Sequence, residues 1–190
     1  METSRLGIFL ILLFLLSSCI ISDGGFAPVE NTDFVVMEKL SELDGVYRHI
    51  SDASVDRSGG KIWVGLGEIL WPDDRTALTD IVRFEIRAQG NDKFFLKAFD
   101  YNGMERKEKV YLADQDFAFS NGRVKFHRGN LLLQDNKDPI LGPDVTMIEM
   151  GVDQERQLKL SITTTGAGLL LFIPGAIHQT TELKFLRTGD

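Results

Sequence analysis

Alternation of apolar and polar residues is the feature that most constrains the fold of this chain. In segments 81–88, 157–163 and 181–187, apolar residues recur at alternate positions, and polar or charged residues lie between them. Successive side chains of a β-strand point to opposite faces, so this period predicts strands with one face buried and the other in solvent. A chain built from such segments has to form sheets that cover their apolar faces.

Short turn signals separate the alternating segments. Asn102-Gly103 lies between segments 93–101 and 104–112, and the same dipeptide recurs at positions 121–122. Asn-Gly suits the type I′ turn, in which both central residues need a positive φ. No helical segment is long enough to cross between parallel strands, so the strands are expected to be antiparallel neighbours.

We expect an all-β fold: an antiparallel meander of about nine to eleven strands with a short N-terminal helix. The helix is predicted over residues 33–43, where apolar residues recur every three positions and Gly45 ends the pattern. A sheet of this size must protect its edges. Closure into a barrel removes them and is the favoured arrangement, and a two-sheet sandwich is the alternative.

The composition fits one globular domain. The 190 residues are 43% hydrophobic and 26% charged, which is enough to bury a core, and a single cysteine excludes an internal disulfide. The formal net charge of −7 offers no electrostatic attraction for nucleic acid, and no nucleic-acid partner is expected. Residues 105–109 mix both signs of charge, which is typical of a solvated strand face.

Residues 8–16 form an uninterrupted apolar run near the start of the chain. This run is too short to span a hydrocarbon layer of about 30 Å as a helix. An apolar run followed by small residues, here Ser17 and Ser18, is typical of a signal peptide and its cleavage site. We therefore expect residues 1–18 to be a signal peptide that is removed.

Leu16, Ser17, Ser18 and Cys19 resemble the lipobox of bacterial lipoprotein precursors, in which an aliphatic residue and two small residues precede the cysteine. The resemblance implies that Cys19 receives lipid, with fatty acids such as palmitate, and becomes the first residue of the mature chain. Two or more acyl chains hold a protein stably at a membrane. Ile20 stands where an Asp tends to retain such proteins in the inner membrane. This implies the outer membrane, facing the periplasm, where the organism has two membranes.

These interpretations divide the chain into three parts. Residues 1–18 are the signal peptide, and residues 19–31 form a lipidated tether whose Gly24, Gly25 and Pro28 oppose regular structure. Residues 32–190 are expected to form a single β-rich domain.

The sequence Leu-Asp-Gly-Val-Tyr, which ends at Tyr47, resembles the start of a lipocalin barrel. That family has a Gly-x-Trp sequence on its first strand, and Gly45 and Tyr47 occupy those positions here. The resemblance implies a barrel that encloses a small apolar ligand.

Two sets of residues are candidate metal ligands. The histidines are His49, His127 and His178, and the aspartates of the loop 134–144 are Asp135, Asp138 and Asp144. The histidines lack paired spacing, and the aspartates lack the spacing of an EF-hand loop. We expect no metal site and no cofactor.

Ser58-Gly59-Gly60-Lys61 has the Ser-x-x-Lys spacing of some nucleophilic enzymes. Its paired glycines suit a turn, and the partner motifs of the β-lactamase class are absent from the sequence. Scattered Ser, His and Asp side chains could still converge, since triads are recognised by geometry. The sequence therefore predicts no catalytic residue.

Two apolar runs break the alternation. The first, within residues 166–175, predicts a strand buried on both faces or, alternatively, an exposed loop that meets lipid, a hydrophobic ligand or a partner. The second spans residues 62–71, where Gly65 and Gly67 allow a bulge and Trp63 is expected in the core.

The sequence favours a membrane-anchored envelope lipoprotein whose β domain binds another envelope component without catalysis. The alternatives are a lipocalin-like carrier of a small apolar ligand and a hydrolase with an unrecognised site. An internal apolar cavity would favour the carrier, and an exposed apolar patch over a filled interior would favour partner binding. A cleft with adjacent His, Ser or acidic side chains would favour the enzyme.

The lipid anchor is tested by Cys19→Ala. This variant should lose labelling by a fatty-acid analogue and keep its leader, because the thiol that accepts the lipid is gone. Labelling of the precursor and mature forms, resolved by mass, measures both effects. Labelling that persists in Cys19→Ala would falsify the anchor.

Overall fold

A computed structural model describes residues 20–23, 34–52, 54–55, 61–72, 78, 80–126, 140–141, 144–170 and 173–189. The strands are β1 (Ile20–Asp23), β2 (Gly45–Arg48), β3 (Ser54–Val55), β4 (Lys61–Ile62), β5 (Ile81–Gln89), β6 (Lys93–Asp100), β7 (Glu105–Leu112), β8 (Phe117–Ser120), β9 (Arg123–Phe126), β10 (Ile140–Leu141), β11 (Asp144–Val152), β12 (Leu158–Leu170), β13 (Ile173–Phe185) and β14 (Arg187–Gly189). A 3-10 helix spans Leu40–Leu43, and a short α-helix, α1, spans Leu66–Leu70. The all-β prediction is confirmed.

The strands of the described residues form two large sheets. Sheet I has the order β1-β13-β12-β11-β9-β8, with β10 also paired to β12, and sheet II has the order β14-β2-β5-β6-β7. A small third sheet contains β3 and β4. No strand is shared between sheets I and II over the described ranges, so the two-sheet alternative is confirmed and the favoured closed barrel is corrected.

The chain changes sheets directly after β7, which explains why the meander does not close. A tight turn follows β7, in which the Asp116 N–H donates to the Leu112 carbonyl oxygen at 2.9 Å and Asp114 has a φ of 64°. The next strand, β8, then pairs with β9 in sheet I. β7 is left as an edge strand, and its run of charged residues opposes further pairing.

The chain divides into two compact units. The larger unit comprises Gly25–Arg128, Met147–Ile162 and Thr180–Asp190, and the smaller comprises Met1–Gly24, Gly129–Thr146 and Thr163–Gln179. The single domain expected over residues 32–190 therefore contributes to both units.

An aromatic cluster joins the two sheets within the larger unit. Phe94 of sheet II stacks on Tyr111 with their centroids 4.8 Å apart, and it meets Phe117 of sheet I at 5.1 Å. Phe126 of sheet I lies edge-on to Tyr111 at 5.6 Å. All four rings are buried. Aromatic pairs in such tilted and stacked arrangements contribute about 0.5–1.5 kcal/mol each beyond their buried area.

The predicted alternation is confirmed most clearly in β6, where every second residue from Phe94 to Asp100 is buried. In β5 the pairing shifts register between Ile81 and Arg83, so Ile81 is buried as well as Phe84. A shift of this kind is a β-bulge, which turns a side chain to the other face.

The helix predicted over residues 33–43 is corrected to the single 3-10 turn Leu40–Leu43. Ahead of it the chain lies along sheet I, where Val35 N–H donates to the Val152 carbonyl oxygen at 2.9 Å and Met37 N–H to the Gly122 carbonyl oxygen at 3.3 Å. These tertiary bonds satisfy backbone groups that a helix would otherwise have satisfied internally.

The two Asn-Gly turns differ. Asn121 and Gly122 both have a positive φ, 54° and 70°, as predicted for a type I′ turn. At the other turn only Gly103 has a positive φ, and its N–H donates to the Asp100 carbonyl oxygen at 3.0 Å. This three-residue hairpin loop places glycine at the left-handed position after the turn, and the type I′ prediction for it is wrong.

The smaller unit contains the distal ends of β12 and β13. β1 pairs in parallel with β13, with Ile20 opposite Gly175 and Asp23 opposite His178. Residues 20–23 were expected to belong to an irregular tether, and the structure corrects this: the exposed edge of β13 offers free backbone groups to a β-branched Ile-Ile segment. Cys19 and residues 24–31 lie outside the described ranges.

Substitution of Gly122 should destabilise the larger unit more than substitution of Gly103. A Cβ at Gly122 would lie 2.6 Å from Met37 N, whereas at Gly103 the nearest atom is an Arg83 guanidinium nitrogen at 3.4 Å. We expect Gly103→Ala to cost about 1 kcal/mol through its positive φ, and Gly122→Ala about 3 kcal/mol because overpacking adds to that strain.

Chemical denaturation of the two variants measures these costs, and hydrogen exchange at the Met37 N–H shows whether its segment detaches. Equal costs for Gly103→Ala and Gly122→Ala would contradict the close contact between the Asn121-Gly122 turn and the N-terminal segment.

Candidate functional site

The candidate residues of the sequence that the structure describes lie on different elements. His49 follows β2, His178 lies in β13, Asp144 begins β11 and Lys61 belongs to β4. The other candidates lie outside the described residues; these are Cys19, Ser58, Gly59, Gly60, His127, Asp135 and Asp138. Among the described residues, no group of three His, Cys, Asp or Glu side chains is placed to hold a metal ion.

The residues of segment 166–175 lie at the ends of β12 and β13, apart from positions 171 and 172, which lie outside the described residues. The structure describes the backbone of this segment and not the burial of its apolar side chains. No helix in the described part of the chain is long and apolar enough to cross a membrane.

The side of sheet II that faces away from the aromatic cluster is the best candidate for a functional surface. We call it the arginine–aromatic face. Its residues alternate with the buried positions of β2, β5, β6 and β7: Arg48, Arg83, Glu85, Arg87, Lys93, Phe95, Lys97, Phe99, Glu105, Glu108, Val110 and Leu112. Five cations and three carboxylates lie on this face of a chain whose net charge is −7.

Two arginines lie side by side on this face. Arg48 of β2 is directly opposite Arg83 of β5, and Arg83 is in turn opposite Phe99 of β6. The Arg83 guanidinium carbon is 5.3 Å from the centroid of the Phe99 ring. Like charges directly opposite each other destabilise a sheet, and within the described ranges neither arginine forms an ion pair. The pair is therefore available to an external anion.

Apolar side chains lie further along the same face, beyond the row of Arg48, Arg83 and Phe99, where Arg87 is opposite Phe95. Phe95 is opposite Val110 in the ladder, and Lys93 Nζ lies 5.4 Å from the Phe95 ring centroid. Val110 and Leu112 are exposed, although both belong to a strand of a folded sheet. Aromatic and aliphatic groups beside cations are typical of the central residues of protein–protein interfaces.

The other charges on the face neutralise one another. Lys97 Nζ lies 2.8 Å from a Glu105 oxygen and 3.4 Å from a Glu108 oxygen, and the hydrogen bond to Glu105 raises the pKa of Lys97. Arg87 forms an ion pair with Glu85. Among the described residues, the cations of this face without an ion pair are therefore Arg48 and Arg83 at one end and Lys93 at the other.

A rigid turn carries the most exposed aromatic residue of the described chain. Tyr101, 82% exposed, lies in the turn between β6 and β7. The buried Asp100 carboxylate holds that turn: it accepts the N–H of Met104 at 3.0 Å and that of Asn102 at 2.8 Å, and Arg106 Nε binds its other oxygen at 2.8 Å. The Met104 hydrogen bond contributes most to lowering the pKa of Asp100.

His49 forms a second polar feature, in the core of the larger unit. It is buried beside Phe84, with 5.4 Å between the ring centroids. Its Nδ1 has no hydrogen-bond partner among the described residues. Burial lowers the pKa of His49, and the charge of Glu68 acts in the opposite direction. Ser51 is also buried. Its Oγ accepts a hydrogen bond from the Val64 N–H at 3.0 Å, so this hydroxyl has a structural role.

Within the apolar segment 62–71, residues Leu66–Leu70 form α1 where a bulge was predicted, and Gly67 of this helix lies close to the Leu78 and Phe84 side chains. Trp63 is 60% exposed, so its expected place in the core is corrected. Trp71 is the buried tryptophan, packed against Phe84 at 5.2 Å.

Sequence reasoning did not identify the arginine–aromatic face. It interpreted the mixed charges of β7 as one solvated face, whereas Lys107 and Lys109 share the inner face with Tyr111, and Lys107 Nζ lies 4.6 Å from the Trp71 ring. The pairing of Arg48 with Arg83 depends on the register between β2 and β5, and these strands are separated by more than thirty residues. No local pattern contains that register.

Comparisons with models of protein families, with curated proteins and with solved structures give no match to this chain.

The burial of His49 predicts how stability depends on pH. The folded pKa is lowered from the ordinary value of 6.5, so below pH 6.5 the unfolded state binds the proton more readily than the folded state. The free energy of unfolding should therefore fall as the pH drops from 6.5 towards the folded pKa. Denaturation across this range should show a smaller fall for His49→Gln, with His178→Gln, at an exposed position, as the control. An unchanged slope in His49→Gln would contradict the assignment.

Proposed function

We propose that this protein is a lipid-anchored component of the bacterial envelope whose β domain binds an acidic protein partner through the arginine–aromatic face. The observation that carries the proposal is the pair of exposed arginines, Arg48 and Arg83, which are directly opposite each other in the ladder, with Phe99 opposite Arg83. The protein acts in this proposal by binding, without catalysis, and Cys19 supplies its attachment to the membrane.

The chemistry of the face identifies the partner. Guanidinium groups bind carboxylates with two parallel hydrogen bonds, and two of them side by side suit a pair of acidic side chains. Phe99 would contact an apolar side chain beside those acids, and Phe95 and Val110, further along the face beside Arg87, would contact apolar side chains elsewhere on the same partner. The partner surface is therefore expected to contain Asp or Glu at its centre with aliphatic or aromatic neighbours.

A protein partner suits this face better than a lipid surface does. Glu85, Glu105 and Glu108 lie among the cations, and a uniformly anionic bilayer would repel all three. A protein can place cations opposite these glutamates and carboxylates opposite the arginines, which is the complementarity that gives interfaces their specificity.

The interior of the larger unit supports binding at the surface over the carriage of a small ligand. Large side chains from both sheets occupy the space between them, including the fully buried Phe94, Phe117 and Phe185. A filled interior below an exposed apolar surface was the combination expected of a partner-binding domain. Within the part of the chain that the structure describes, the carrier and hydrolase alternatives have no comparable set of contacts in their favour.

Arg48→Glu separates a binding role of the arginine pair from a structural one. The substitution places opposite charges across the β2–β5 ladder, so the fold should gain about 0.2–1 kcal/mol in place of losing stability. Binding of the partner should weaken about tenfold or more, since a charge that faces a carboxylate is reversed. A matched control is Met147→Glu, which adds a negative charge at an exposed position of sheet I.

The partner is captured first by a photoreactive phenylalanine analogue at position 95 in intact cells of the source organism, with the same analogue at position 147 as control. We expect a discrete protein adduct from position 95 that Arg48→Glu removes and Met147→Glu retains. Its affinity, measured with purified proteins, should fall with salt. Equal adducts from both positions, adducts only with lipid, or an adduct that Arg48→Glu leaves unchanged would each overturn the proposal.

A further inference from the structure

Arg48, Arg83 and Phe99 form a row that crosses the strands of sheet II. Arg48 of β2 is directly opposite Arg83 of β5, and Arg83 is directly opposite Phe99 of β6. We call these three residues the cross-strand row. Neighbouring strands lie about 4.8 Å apart, so the row spans about 10 Å at right angles to the strands. A segment of the partner that contacts all three side chains must therefore lie across the strands.

The charges beside the cross-strand row oppose an acidic segment that runs along a strand. Two residues along β5 from Arg83 is Glu85, which is opposite Lys97, and Lys97 is opposite Glu108. This second row carries two carboxylates and one ammonium, so it repels acidic side chains. An acidic segment along β5 would meet Glu85 between Arg83 and Arg87, whereas a segment along the cross-strand row meets two arginines in succession.

The spacing of the cross-strand row matches the turns of an α-helix. Side chains on one side of a helix recur about every 5.4 Å, and residues i, i+4 and i+7 span about 10.5 Å. Side chains on one side of an extended segment recur about every 6.7 Å, so three of them span about 13 Å. Because the row itself spans about 10 Å, a helix stays in register with its third residue and an extended segment does not. The long arginine side chains accommodate the twist of about 20–25° between neighbouring strands.

The far end of the row specifies an apolar residue and excludes a further acid. The Phe99 ring lies 5.3 Å from the Arg83 guanidinium carbon, so it offers an apolar contact next to the acid that Arg83 binds. Glu105 of β7 is opposite Phe99, and its carboxylate lies 2.8 Å from Lys97 Nζ. Glu105 would repel an acid on the next turn of a helix. The row therefore suits an acid, a second acid, an apolar residue and then a residue that is not acidic.

We infer that the partner presents an amphipathic α-helix that lies across the strands of the arginine–aromatic face. One acid of this helix binds Arg48, an acid one turn away binds Arg83, and an apolar residue one turn further contacts Phe99. This inference rests on the proposed function and names the element of the acidic partner that is bound. The two arginines select the acids, and Phe99 fixes which end of the acid pair lies towards β6.

Two synthetic peptides of identical composition test the inference on the full-length chain in detergent micelles. Both are alanine-rich and about 20 residues long, a length at which such peptides form helix. The first has acids at i and i+4 and a leucine at i+7, so all three lie on one side of a helix. The second has acids at i and i+2 and a leucine at i+4. This spacing aligns the three on an extended segment and places the two acids on opposite sides of a helix.

Fluorescence anisotropy of the labelled peptides measures their affinities. We expect the first peptide to bind about tenfold or more tightly than the second. Arg48→Glu should remove this advantage, and Met147→Glu, at an exposed position of sheet I, should retain it. Arg48→Gln gives the same test with a smaller loss if Arg48→Glu fails to fold.

Charge exchange tests the order of contacts along the cross-strand row. A peptide with lysine in place of the outer acid should bind Arg48→Glu again, because opposite charges then face each other. A peptide with lysine in place of the central acid should likewise bind Arg83→Glu. Restored binding of both variants by the same lysine peptide would overturn the inferred order of contacts, and with it the helix.

The outcomes separate this inference from the proposed function. Equal or tighter binding of the second peptide, still weakened by Arg48→Glu, overturns the helix and leaves the acidic partner in place. Binding of neither peptide also overturns the helix. The proposed function fails with it only where the adduct from position 95 is absent or is unchanged by Arg48→Glu, so the two failures are distinguishable.

Discussion

The packing of Phe94 between the two sheets is the constraint on which the larger unit depends. Its ring stacks on Tyr111 within sheet II and meets Phe117 of the facing sheet. Because neighbouring residues of a strand point to opposite faces, burial of Phe94 forces Phe95 onto the outer side of sheet II. Burial of Leu96 and Ala98 likewise assigns Lys97 and Phe99 to that side. The residues of the arginine–aromatic face are therefore the ones that alternate along the strands with the buried residues of the core.

Among the described residues, charged side chains in the interior have hydrogen-bond and ion-pair partners, whereas two arginines on this face do not. Asp153 is fully buried, and it accepts the N–H groups of Glu155 and Gln157 at 2.9 Å each and binds Lys184 Nζ at 3.0 Å. Asp100 is satisfied in a similar way at the β6–β7 turn. Arg48 and Arg83 break this pattern, since the sheet places two like charges in register. The repulsion between Arg48 and Arg83 is the reason to propose a binding role for the pair, because the buried carboxylates of the same fold have hydrogen-bond and ion-pair partners.

The two compact units use the same property of β-structure, in which register along a ladder brings together residues that are distant in sequence. In the larger unit, where we propose a surface that binds an acidic protein, the pairing of β2 with β5 does so for Arg48 and Arg83. In the smaller unit, β1 and β13 do so across about 150 residues of chain.

The sequence by itself determined the strand-forming segments, the all-β class and the expectation of a lipid on Cys19, because these depend on local alternation, turn residues and a contiguous motif. It misplaced the 33–43 helix and Trp63, since the backbone bonds of Val35 and Met37 to sheet I and the packing of Trp71, in place of Trp63, against Phe84 are tertiary. Only the tertiary structure decided the two separate sheets, the pairing of Arg48 with Arg83 and the pairing of β1 with β13. Those features depend on which strands become neighbours and in what register, and long-range packing settles that choice because local periodicity is the same for every possible pairing.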